Sequence, residues 1–70
     1  MTRGFVERQL RDMYPDVVEE FYPKRGVTVR VSITESGWYV VERIVNNNQH
    51  RARKTHSLSE TVDLVIWLCL

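Results

Sequence analysis

The sequence predicts a single α+β domain over residues 1–70, in the order α-β-β-β-α: a kinked N-terminal helix, a three-stranded antiparallel sheet and a C-terminal helix. Three patterns predict it. Apolar residues recur at helical spacing in the first third, they alternate strictly in the middle, and a capped apolar run closes the chain.

Phe5, Val6, Leu10, Met13, Tyr14, Val17, Val18 and Phe21 fall on one side of a 3.6-residue repeat, which predicts an amphipathic helix over residues 4–22. Pro15 interrupts it, because proline has no amide to bond the carbonyl of Arg11. The apolar phase continues through Pro15, so the expectation is a kink rather than a corner. Tyr22-Pro23 and Gly26 then end the helix.

Residues 27–34 place Val27, Val29, Val31 and Ile33 on one face and Thr28, Arg30, Ser32 and Thr34 on the other, the signature of a half-buried strand. Glu35-Ser36-Gly37 connects it to a second strand over residues 38–45, with Trp38, Val40 and Ile44 expected to point inward. Asn46-Asn47-Asn48 is the next turn, since asparagine tolerates left-handed backbone, and residues 49–55 return as a polar third strand.

Ser57-Leu58-Ser59-Glu60 fits a capping box, in which serine hydroxyl and glutamate carboxylate satisfy exposed amides at a helix start. Leu58, Val62, Val65, Ile66 and Cys69 form the expected core stripe. Leu64, Trp67, Leu68 and Leu70 widen it beyond what a three-stranded sheet needs covered. The first helix, a second copy in a homodimer, another protein or a longer chain would have to cover the excess. Both helices are expected on one sheet face, since only that buries Val27, Val29, Val31 and Ile33.

A chain of 70 residues buries a small core, and its single cysteine, Cys69, excludes an internal disulfide. Oligomerisation is the remaining staple. The start carries no apolar signal segment and the terminal apolar run is far short of a membrane span, so the expectation is a cytoplasmic protein without a membrane partner.

Net charge is +1, but its distribution is uneven: −2 over residues 1–23, +5 over residues 24–54 and −2 over residues 55–70. On the predicted sheet this becomes a basic face carrying Arg30, Tyr39, Arg43, Arg51, Arg53 and Lys54. That face would suit a protein partner with an acidic surface. Alternatively, its cations would neutralise phosphates of a nucleic acid while Tyr39 stacks on a base.

The element order resembles the double-stranded RNA-binding domain. The resemblance implies phosphate contacts from small and basic residues at the start of the second helix. Residues 57–63 read Ser-Leu-Ser-Glu-Thr-Val-Asp, acidic where that family is basic, so its contact residues have no counterparts here.

No catalytic, cofactor or metal constellation is legible. Cys69 with His50 or His56 would be the nucleophile and base, but Cys69 lies on the core stripe, where cysteine behaves as a small hydrophobe. His56 and Glu60 lack a second histidine to complete a metal site. Gly4, Gly26 and Gly37 are isolated, so there is no phosphate loop. The expectation is a non-enzymatic regulatory or inhibitory module that binds a macromolecule. Small accessory proteins of phages and mobile elements that block a host complex share this profile.

Overall fold

A computed structural model describes residues 1–70 and shows an α+β domain with one more strand than the sequence predicts. The order is α1 (Arg3–Leu10), β1 (Val18–Lys24), β2 (Val27–Ile33), β3 (Tyr39–Val45), β4 (Asn48–Thr55) and α2 (Leu58–Leu68). The strands form one antiparallel sheet in the order β1-β2-β3-β4, which leaves β1 and β4 at its edges.

The expected kinked helix is therefore a helix followed by a strand, and the cause is local. Thr2 caps α1 by accepting from the amide of Phe5 at 3.2 Å, and Val6 and Leu10, one turn apart, are its buried residues. Four residues after Leu10 the chain turns at Tyr14-Pro15-Asp16-Val17, where the Val17 amide bonds the Tyr14 carbonyl at 3.1 Å and Asp16 has φ 78°. Proline second and a left-handed residue third is a type II turn, which reverses the chain where a helix would have continued. Beyond it Glu19 and Phe21 pair with Val31 and Val29 of β2. Val17 and Phe21, four residues apart, satisfy a period of two as well as one of 3.6, whereas Val18 fits only the helical repeat and is 51 % exposed in β1.

The next hairpins follow their turn chemistry. Gly26, at φ 79°, turns β1 into β2, and Gly37, at φ 89°, closes the loop before β3. Asn46 and Asn47, at φ 50° and 70°, are the paired left-handed residues of a two-residue type I′ turn between Val45 and Asn48. A bulge at His50 separates the pair Arg43 and Arg51 from the pair Ile44 and Gln49.

Both helices do pack on one face of the sheet. Val6 and Leu10 of α1 and Val62, Val65 and Leu68 of α2 share a core with Phe21, Val29, Val31 and Val41. Arg3 joins the helices by an ion pair with Asp63 and by a hydrogen bond from its guanidinium to Ser59 Oγ at 2.9 Å. No helix is long and apolar enough to cross a membrane.

The face of β3 is the opposite of the expected one. Val41 pairs with Val31 and Arg43 with Val29, so Tyr39, Val41, Arg43 and Val45 lie on the helix side. Trp38, Val40, Glu42 and Ile44 lie on the open side. A one-residue slip exchanges faces throughout a strand, and β3 carries adjacent apolar and adjacent charged pairs that fit either choice.

Candidate functional site

The register of β3 and β4 divides the expected basic face into two. Arg30 and Lys54 lie on the open side of the sheet, while Tyr39, Arg43, Arg51 and Arg53 lie on the side of the helices. On the open side Arg30 donates to Glu20 at 3.0 Å, and Glu42 sits directly across from Arg30. Charges alternate along that row, so the open side is not a basic surface. Tyr39 is half-buried and packs against the core on the helix side, away from Arg30.

On the helix side a group of cations gathers along the edge strand. Arg51 and Arg53 project from β4 beside α2, and the Arg51 guanidinium carbon stands 5.2 Å from the Trp67 ring centroid. Arg43 reaches under the end of α2, its Nε donating to the Leu68 carbonyl at 2.9 Å and its Nη1 lying 3.1 Å from His50 Nδ1. The chain's ion pairs are Arg3 with Asp63, Arg11 with Glu7, and Arg30 with Glu20. Arg43, Arg51, Arg53 and Lys54 therefore have no carboxylate partner.

Two clefts run between β4 and α2. One, of about 370 Å³, has Arg53 and Thr55 on the strand side and Glu60, Asp63, Leu64 and Trp67 on the helix side. The other, of about 270 Å³, lies between Arg43, His50 and Arg51 on one wall and Trp67, Leu68 and Leu70 on the other. Trp67 separates them. The acids of the first cleft are engaged elsewhere: Asp63 holds Arg3, and Glu60 accepts from the Thr55 hydroxyl at 2.7 Å.

That last bond revises the capping box. Ser57 accepts from the Glu60 amide at 3.1 Å as expected, but the Ser57 amide donates to Thr55 Oγ1 at 3.1 Å instead of to Glu60. The buried Thr55 hydroxyl relays the reciprocal bond and ties the end of β4 to the start of α2.

The four residues of the terminal apolar group have different surroundings. Leu68 is 4 % exposed and belongs to the core, Leu64 is half-buried, and Trp67 and Leu70 are 50 % and 82 % exposed. Leu68 joins the core shared by α1, α2 and the sheet. Trp67 and Leu70 are left beside the cations, a juxtaposition that sequence spacing could not disclose because it depends on the register of β4.

On the open face, Trp38 and His56 stack with ring centroids 3.5 Å apart, and Lys54 Nζ lies 5.8 Å from the Trp38 centroid. Hydrogen bonds from Tyr22 and then Arg30 hold the Glu20 carboxyl below its ordinary range, and the same bond pushes the Tyr22 phenol up. Burial pushes the Cys69 thiol up, which leaves little thiolate for nucleophilic chemistry. No three His, Cys, Asp or Glu side chains converge where a metal ion would sit.

Comparison with protein-family models, with curated proteins and with solved structures finds no match. The four-stranded order also departs from the element order behind the resemblance to the double-stranded RNA-binding domain.

Proposed function

We propose that this chain is a small non-enzymatic interaction module, regulatory or inhibitory in effect, that binds an acidic protein surface along β4 and α2. The observation that carries this reading is the grouping of Arg43, Arg51 and Arg53 around the half-exposed Trp67 with no carboxylate to neutralise them. Arginine and tryptophan are the residue types most often found where binding energy concentrates, since each combines a large contact area with a directed polar group. Unpaired cations beside an apolar ring suit a partner that brings both acids and apolar surface.

The nucleic-acid alternative asks for one basic face with an aromatic platform. Arg30 and Tyr39 are the residues that would have completed it, and they lie on opposite sides of the sheet from each other.

The test is capture of binding proteins from the native source, with nuclease treatment, by the wild-type chain and by an R51E/R53E variant. The expected result is a protein complex that survives nuclease and is lost on charge reversal. Capture that disappears with nuclease would overturn the reading.

A further inference from the structure

We propose that the partner contributes an extended acidic segment that adds to the sheet as a fifth strand along β4, its carboxylates at alternate positions meeting Arg51 and Arg53. This rests on the reading of the chain as a module for acidic proteins and specifies how the partner is held. β4 has one strand neighbour, β3, so alternate backbone N–H and C=O groups along its other side face no strand. The stretch Arg51–Thr55 is in regular register with β3, beyond the bulge at His50, and its backbone is set for another strand.

The two edges of the sheet are unequal. β1 carries Pro23, which has no amide to donate, inside a register irregularity between Phe21 and Lys24. β4 carries no proline. Its residues are exposed apart from Thr55, and its side chains alternate between Arg51 and Arg53 toward α2 and Ala52 and Lys54 toward the open face.

Charge selects the occupant. A second copy paired antiparallel about Ala52 would set Arg51 of each chain opposite Arg53 of the other, and like charges directly opposed on a sheet repel. An acidic strand reverses the sign of the same contacts. Residues directly across a sheet alternate faces with a period of two, so acids at every second position of the added strand would all project toward Arg51 and Arg53. Trp67 stands behind them, its ring already in contact range of Arg51. The Arg53 Nη1 donates to the Ala52 carbonyl at 3.0 Å, a local bond that an incoming carboxylate and backbone amide would replace.

The probe is an end-blocked peptide of alternating glutamate and valine. Its comparators are a peptide of the same composition with the glutamates in one block, the alternating peptide N-methylated on the amides of one edge, and a single-stranded oligothymidine. Amide chemical shifts of the protein report the binding. The alternating peptide is expected to move the amides of Arg51–Thr55, to bind about tenfold or more tightly than the blocked and N-methylated forms, and to lose binding to the R51E/R53E variant. The comparison of peptides needs no protein variant, so it stands even if the variant misfolds. Equal binding of the N-methylated form would overturn strand addition and leave the acidic-partner reading intact. Binding of the oligothymidine with no binding of any peptide would overturn both.

Discussion

Arg43 Nε donates to the carbonyl of Leu68 at 2.9 Å, so a side chain of β3 closes the last turn of α2. A helix C-terminus exposes unpaired carbonyls and a partial negative charge, and α2 has no basic residue of its own in its last turn. The arginine expected on the open basic face thus caps the helix that covers the core.

Replacing Arg43 with alanine should lower stability by about 1–2 kcal/mol, the range for a charge-assisted bond at a helix end. Arg43→Lys should restore part of the loss, since the charge remains while the planar fork is gone. Urea denaturation of the variants measures it. A wild-type midpoint for Arg43→Ala would mean the contact contributes nothing.

Leu68 and Trp67 are adjacent in sequence and opposite in burial, so their truncations should separate. Leu68→Ala should cost about 2–5 kcal/mol, as for a core leucine, whereas Trp67→Ala should stay within about 1 kcal/mol of wild type. Thermal unfolding of both variants decides it. Equal costs would show that the exposed indole is part of the core.

The turn at Gly26 should be intolerant. A Cβ added there would lie 2.8 Å from Asn46 Oδ1, and the backbone is left-handed at φ 79°. The Asn46 amide also bonds the Gly26 carbonyl at 2.8 Å, locking the two hairpin turns together. Gly26→Ala is expected to destabilise by about 1–3 kcal/mol. Gly37→Ala, left-handed but with open space around it, should cost less than Gly26→Ala in the same denaturation assay.

The Glu20, Tyr22 and Arg30 cluster should leave a pH signature with two limbs. The Glu20 carboxyl is held below 4.5, so its contribution is present above pH 4.5 and is lost as pH falls through the lower folded value. The Tyr22 phenol is raised above 10.0, so its contribution is present below pH 10.0 and is lost as pH rises through the higher folded value. Glu20→Gln should flatten both limbs and return the highest-titrating tyrosine to the ordinary range in an ultraviolet absorbance titration. An unchanged tyrosine titration would mean that the bond between Glu20 and Tyr22 does not persist in solution.

Much of this fold could be read from the residues themselves. The alternation of Val27, Val29 and Val31, the asparagine turn and the Ser57 cap all appear where their spacing placed them. β1 was hidden because Val17 and Phe21 satisfy two periods at once while Val18 fits the helical one, and only the turn at Pro15-Asp16 decides for the strand. The face of β3 was hidden for a related reason: Val40 and Val41 are both apolar, while Glu42 and Arg43 are both charged. Long-range partners decide it, Val31 for Val41 and Leu68 for Arg43. The candidate site inherits that dependence, since Arg51 meets Trp67 only once both β3 and β4 are in register.

Hydrogen exchange along β4 tests the docking account most directly. With the alternating glutamate-valine peptide bound, every second amide between Arg51 and Thr55 should slow, namely those that point away from β3, while amides of β1 keep their free-state rates. Peptide binding that leaves the exchange of all β4 amides unchanged would contradict the account.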